Sequence, residues 1–301
     1  MINPFLLFVQ LLLILFVFTN FLLKPKATDV SQVDTTNWET TPSYIKSYFD
    51  NGNLKEEGRV FQDKKIGWWK SYYDNGILKS GGEYDSNNQV GYWKYYFENG
   101  VLEQEGGFDL GIKSGYWKTY FTNSNLCSEG QFEKGEEEGA WHFYYDSGSL
   151  KTKGYYVDGL KSRTWIRNYP DSTLELKGQY LNDMKTGWWE RYFENGEFNW
   201  LGKFKEGKRE GFWKISVISG DRQEGNYLNG LKSGSWKTMN SNGKLIELGE
   251  FANGKKSGFW KFYDNEVLIK SGEYLLDRRI GEWSFFNEKG ELVEKQNYDN
   301  E

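Results

Sequence analysis

Few side chains here are of the kinds that do covalent chemistry. The 301 residues include one histidine, His142, and one cysteine, Cys127. No His–Cys cluster at metal-ligand spacing accompanies them, and neither a phosphate-cradling loop nor a nucleophile elbow is present. His142 holds the position directly after a tryptophan that elsewhere carries Lys70, Lys94 and Lys118, so it reads as an exposed ladder residue. Carboxylates are plentiful, but runs such as Glu136-Glu137-Glu138 fall where loops are expected, and loop charge serves solvation. A lone cysteine makes no internal disulfide and says little about compartment. The expectation is a protein that is not an enzyme and needs no cofactor or metal.

Binding chemistry has more to stand on. Lys46, Lys70, Lys94, Lys118, Lys214, Lys237 and Lys261 recur directly after one repeated position. Rings flank them on the same face of a strand: Trp68 and Tyr72, Tyr92 and Tyr96, Tyr116 and Tyr120. Lys70, Tyr72, Lys94, Tyr96, Lys118 and Tyr120 therefore form the candidate binding face. Lysines between aromatics suit anionic lipid headgroups, acidic glycans or single-stranded nucleic acid. Opposing this, the expected register sets Lys94 across from Glu105 and Lys118 across from Glu129, which neutralises part of the stripe. The stripe also breaks at Ile166 and Glu190, and the net charge of -5 disfavours nucleic acid. A solvated face with ion pairs is the plainer reading.

These residues are positioned by a repeat. Trp69 returns as Trp93, Trp117, Trp141, Trp165, Trp189, Trp213, Trp236, Trp260 and Trp283, in steps of 24 residues shortened to 23 at Trp236 and Trp283. A fixed period in this range marks a stacked supersecondary unit and overrides the two domains that the length would suggest. With 19% aromatic residues, 35 Gly, 14 Trp and a mean hydropathy of -0.77, the chain buries rings on one face and solvates the other. Many units have an aromatic pair such as Tyr72-Tyr73, and several carry an Asn-Gly such as Asn75-Gly76, the signal of a type I′ hairpin. A two-residue loop there sets Asp74 opposite Ile77, Tyr73 opposite Leu78, Trp69 opposite Gly82 and Gly67 opposite Tyr84. All the large rings then share one side. Trp93 likewise faces Gly106, Trp117 faces Gly130, Trp141 faces Gly154, Trp165 faces Gly178, Trp189 faces Gly202 and Trp236 faces Gly249. Aromatic partners offset the weakness of glycine in a strand, so these glycines are structural.

The ends differ from the middle. Pro4 to Leu23 is almost wholly apolar, long enough as a helix to cross a hydrocarbon core of about 30 Å. It lacks the basic start and small-residue cleavage site of a secretory signal, so an uncleaved anchor over 1–23 is expected. Lys24 and Lys26 follow it, which by the positive-inside tendency points the repeats toward the cytoplasm, but two lysines leave the side of the array open. Residues 24–43 read as a flexible linker and 44–301 as the repeat array. Its first unit is degenerate, with Ile45 in the tryptophan position. Its last has Gln296 where the glycine opposite Trp283 belongs. Polar, atypical ends close a repeat array. The fold class expected is all-β, an elongated array of about ten to eleven antiparallel hairpins of 23–24 residues behind one transmembrane helix, on the order of 100 Å long at about 4.8 Å per strand.

The pattern Gly-x-Trp-Lys-x-Tyr-Tyr-x-x-Gly-x-Leu, followed by Gly-x-Tyr, resembles the membrane occupation and recognition nexus (MORN) repeat in its bacterial variant form, over about residues 43–298. The resemblance implies binding or scaffolding, with membranes, lipids or proteins as partners. Some bacterial relatives are described as antitoxin-like. Departures are Arg163 in place of the glycine before Trp165, Ser124 and Ser172 in place of turn glycines, and a missing residue in the units at Trp213 and Trp260. Choline-binding wall repeats are a weaker resemblance, since their order of glycines and rings differs. The function expected is a single-pass, membrane-anchored scaffold for a protein partner or anionic lipid. The alternatives are a cell-envelope glycan or choline-type binder, and an antitoxin-like partner protein.

Overall fold

A computed structural model of the chain describes residues 41–217 and 220–298 as strands and tight turns. The expected membrane helix over residues 4–23 and the linker up to residue 40 lie outside the described residues. Among those described, no helix is long and apolar enough to cross a membrane.

Odd-numbered strands from the third onward carry the tryptophans. They are β1 (Ser43–Tyr48), β3 (Lys64–Tyr72), β5 (Asn88–Tyr96), β7 (Ile112–Tyr120), β9 (Glu136–Tyr144) and β11 (Leu160–Asn168). The rest are β13 (Met184–Tyr192), β15 (Lys208–Ser216), β17 (Leu231–Met239), β19 (Lys255–Asp264) and β21 (Arg278–Phe286). Even-numbered strands carry the paired glycines, except the last, which has Gln296 in that place. They are β2 (Leu54–Phe61), β4 (Leu78–Asp85), β6 (Leu102–Asp109), β8 (Leu126–Glu133), β10 (Leu150–Val157) and β12 (Leu174–Leu181). After them come β14 (Phe198–Lys205), β16 (Arg222–Leu228), β18 (Leu245–Ala252), β20 (Val267–Leu275) and β22 (Leu292–Asn297). Each strand pairs antiparallel with its predecessor and its successor, from β1 with β2 to β21 with β22. One open 22-stranded meander results. Glu136, Glu137 and Glu138 fall within β9 and not in a loop, with Glu137 across from Phe132.

The two edges of the sheet use different turns. At the Asn-Gly edge the loop has three residues, not two. Gly76 N donates to Tyr73 O at 3.0 Å and Tyr73 N to Ile77 O at 2.8 Å. Gly76 alone takes a positive φ, 83°. Asn75 stays in the ordinary region, and its Oδ1 accepts from Ile77 N at 2.9 Å. This is a type I turn closed by a glycine bulge. It puts Leu78 opposite Tyr72 and not Tyr73. One extra residue in β4, Lys79, then restores the register, so that Ser71 meets Ser80 and Trp69 meets Gly82 as the spacing predicts. Tyr73 is left at the edge, where its hydroxyl donates to Tyr96 O of the next unit at 2.7 Å. The two-residue turns with both φ positive lie at the other edge, as in Gln62-Asp63 (48° and 58°) and Asn229-Gly230 (51° and 87°).

The missing residues are absorbed in two ways. After Trp213 the strand pair runs to Arg222 with no bulge. After Trp260 the bulge stays, and the turn shrinks to Asn265-Glu266, both at positive φ. Arg163, Ser124 and Ser172 adopt the left-handed conformation of the glycines they replace, at 59°, 70° and 71°.

The expected pairs Trp93–Gly106, Trp117–Gly130, Trp141–Gly154, Trp165–Gly178, Trp189–Gly202 and Trp236–Gly249 all face one another. The ring, however, lies over a different glycine, one strand back. A Cβ on Gly130 would come within 2.1 Å of the Trp141 ring, and one on Gly82 within 2.2 Å of Trp93. Each indole also donates its N–H to the carbonyl ten residues before it, Trp69 Nε1 to Arg59 O at 3.0 Å and Trp117 Nε1 to Gly107 O at 3.0 Å. Between the indoles stand Tyr84, Phe108, Phe132 and their equivalents, edge-on to the rings on both sides. Trp69–Tyr84 is 6.1 Å at 87° and Tyr84–Trp93 is 5.0 Å at 80°. The alternation continues to Trp283 and Tyr298. A lysine or arginine closes the outer side of most indoles, as Lys65 Nζ does at 4.1 Å from the Trp69 centroid and Lys113 Nζ at 4.1 Å from that of Trp117. The ten repeat tryptophans, Trp69 to Trp283, are thereby buried without a second layer of structure.

Gly130→Ala is expected to destabilise the fold by about 1–3 kcal/mol, because the Trp141 ring must shift for a methyl group. Trp117→Ala is expected to cost about 3–5 kcal/mol. Urea denaturation followed by tryptophan fluorescence and circular dichroism checks both. A Gly130→Ala midpoint equal to wild type would contradict the stacking described.

Candidate functional site

Lys70, Lys94 and Lys118 lie on β3, β5 and β7, on the face away from the buried indoles. Next to them, the ring preceding each core tryptophan stands in solvent: Trp68 is 62% exposed, Tyr92 51% and Tyr116 51%. The same position gives Trp188, Phe212 and Phe259 farther along, also exposed. Sequence reasoning did not single out those three, although their aromatic type at the position before the tryptophan was a usable signal.

Glutamates interrupt the lysines. Lys94 Nζ lies 3.5 Å from Glu105 Oε2 and Lys46 Nζ 3.4 Å from Glu57 Oε2. Tyrosine hydroxyls reach the same carboxylates: Tyr72 donates to Glu57, Tyr120 to Glu105 and Tyr144 to Glu129, each at 2.8 Å. The candidate residues are thus brought onto one face, but Tyr72 and Tyr120 are tied down by carboxylates. Tyr96 instead has Gly81 in the slot where those carboxylates stand. Gly81 pairs with Lys70 on one side and Lys94 on the other. Bare backbone therefore lies between two lysines, with Trp68 and Tyr92 beside them. On their far sides Lys70 faces Glu57 and Lys94 faces Glu105. Farther along, Lys214 and Lys237 both approach Glu224, at 3.8 and 3.2 Å. His142 is half-buried across from Glu129 and Lys153. Among the described residues, no three His, Cys, Asp or Glu side chains could hold a metal ion.

The carboxylate–tyrosine contacts shift both partners. The Tyr72 hydroxyl, chiefly, holds the Glu57 carboxyl below its ordinary 4.5. Burial pushes Glu105 and Glu129 up, but hydrogen bonds from Tyr120 and Tyr92, and from Tyr144 and Tyr116, outweigh it with help from nearby lysines. Burial first, then the carboxylate, raises Tyr72 and Tyr144 from 10.0 to about 12.

Chain similarity adds the following. Residues 45–63, 89–109, 137–158 and 279–300 match the family described as MORN repeat variant. No curated protein matches the chain. Among solved structures, a chain in the crystal structure of TcdB2-TccC3-Cdc42 is 13% identical over 80% of this chain, with a TM-score of 0.19. This chain spans 16% of that one's length.

A lowered carboxylate contributes stability above its unfolded pKa that is lost as pH falls through the folded value, and a raised tyrosine contributes stability that is lost as pH rises through the folded value. Stability is therefore expected to decline below pH 4.5 and again between pH 10 and about 12. Urea midpoints across pH check this, and Tyr72→Phe with Tyr144→Phe should flatten the alkaline limb. An alkaline limb unchanged in that double variant would contradict the assignment.

Proposed function

Starting from a chain that belongs to the MORN repeat family, whose repeats suggest a binding scaffold, we propose that this protein is a non-catalytic scaffold anchored to a membrane by residues 4–23. Its outer sheet face docks a protein partner, with anionic lipid headgroups as the accessory ligand. The observation that carries this reading is the exposed row of Trp68, Tyr92 and Tyr116 beside Lys70, Lys94 and Lys118, with Gly81 as an unobstructed floor. Exposed rings beside cations are the usual material of an interface hot spot. Weak contacts repeated along an array sum to a usable affinity.

A choline-type cage draws less support. Such a cage needs free ring faces, whereas the core indoles have glycine backbone on one face and, in most units, a lysine or arginine on the other.

With tagged full-length protein, crosslinked and recovered from its own cells, a specific partner is expected. Substituting Trp68, Tyr92 and Tyr116 together by serine is expected to lower its recovery about tenfold, a loss of roughly 1.4 kcal/mol. Recovery equal to wild type, or no partner together with no retention on phosphatidylglycerol vesicles, would remove the proposal.

Cys127, half-buried on β8, is the only thiol and reports sidedness. With the repeats on the cytoplasmic side, a membrane-impermeant maleimide is expected to label it only after lysis. Labelling of intact cells would place the array outside and favour envelope glycans as ligands.

A further inference from the structure

The buried-indole face is not uniform along the array. The residue two past each core tryptophan points to this face. It is small or polar in several units, as at Ser71 and Thr119, but becomes Arg167 on β11 and Arg191 on β13. Leu176 of β12 lies across from both arginines, and Trp200 of β14 lies across from Arg191. Lys185 joins them, its Nζ 4.5 Å from the Trp189 centroid and 5.8 Å from that of Trp200. Arg209 caps Trp213 at 4.8 Å.

Carboxylates do not balance these charges. In three other units the capping lysine has a cross-strand acceptor: Lys65 meets Glu56 at 2.6 Å, Lys256 meets Glu247 at 2.9 Å, and Lys232 meets Gln223 at 3.0 Å. For Lys185 the corresponding slot holds Leu176. Burial, then Arg167, Arg191 and Arg209, press its ammonium toward the neutral form. Glu175 is the acid within the patch. It is buried, at 2.6 Å from Arg167 Nη2 and 3.4 Å from Arg191 Nη2. Asp183 lies at the turn edge, where it accepts from Lys161 N. One carboxylate is thus shared by two guanidiniums that are 42% and 43% exposed, and Arg167 Nε is closed off from solvent with no hydrogen-bond partner.

A guanidinium offers five donors, and a single shared oxygen leaves most of them free. Between the arginines lie apolar groups, Leu176 and Trp200, in the same rows. An occupant must therefore supply both carboxylates and apolar side chains at sheet-like spacing. An extended segment does so naturally, since its side chains advance about 3.3 Å per residue. A nucleic acid would meet a chain of net charge -5. A bilayer of headgroups has no apolar side chains to set against Leu176 and Trp200.

We propose that the indole face across β11 to β15, built on Arg167, Arg191, Lys185, Leu176 and Trp200, docks an extended acidic segment of a partner protein, its carboxylates gripping the arginines and its apolar residues covering Trp200. This site is on the opposite face from the lysine–tyrosine row and stands independently of it.

The test uses the full-length protein and a fluorescein-labelled synthetic peptide of alternating glutamate and leucine. Saturable binding is expected, with Arg167→Ser plus Arg191→Thr weakening it about tenfold or more, as loss of close charge pairs does. Ser71 and Thr119 occupy the same slot in other units, so this double variant keeps residue types the fold already accepts. Lys70→Ala, Lys94→Ala and Lys118→Ala together should leave peptide affinity unchanged. The proposal is overturned by no binding to the wild-type protein, by equal affinity in the double variant, or by equal affinity for an alternating lysine–leucine peptide. It is also overturned if the outer-face triple variant abolishes peptide binding, or if phosphatidylglycerol vesicles bind through the arginines while the peptide does not.

Discussion

The structure depends on one contact, an indole lying flat on the glycine of the strand before it. Glycine is poor in a strand because it has nothing to pack. Here that lack is the space the ring occupies, and carbons of the neighbouring ring would stand 2.0–2.5 Å from any added Cβ. The indole N–H is satisfied by a backbone carbonyl on the same neighbouring strand, so burial of its polar atom carries no penalty. Edge-on rings fill the gaps between successive indoles, and cations cover them. A single-layered sheet thus acquires a dry interior made of its own side chains.

That arrangement separates structure from recognition. The glycines, indoles and intervening rings are fixed by packing, so variation is confined to other positions. On the outer face these are the residue before the tryptophan and the lysine after it. On the indole face it is the residue two beyond and its cross-strand neighbour. Where those positions hold Ser71 and Ser80, hydroxyls pair with each other at 2.6 Å. Where they hold Arg167 and Leu176, the same scaffold presents charge and apolar surface together.

Much of this was legible in the sequence, because period and pairing are one-dimensional facts. The Trp–Gly register emerged correctly even though the Asn75-Gly76 loop was misjudged. A third loop residue shifts the strands by one, and the bulge at Lys79 shifts them back. Two local departures cancel, so Trp69 meets Gly82 on either account. What the spacing could not convey was direction, since cross-strand pairing is symmetric and the tilt of a ring is not. Gly82 faces Trp69 but lies beneath Trp93. The Arg167–Glu175–Arg191 cluster was missed because Glu175 occupies a bulge, where simple alternation assigns the wrong face.

Gln296 has a consequence for how long such a sheet can be. Every tryptophan needs bare backbone one strand earlier, so each unit prepares the bed for the next. Trp283 has its bed at Gly272, but β22 offers Gln296 in return, and β22 is exposed along its whole length. A further tryptophan strand would find an amide side chain where its ring must rest. At the other end β1 has Ile45, which has no flat ring to lay on a neighbour's glycine. Among the described strands, the alternation of ring and bare backbone therefore holds between β2 and β21 and is interrupted at Ile45 and Gln296.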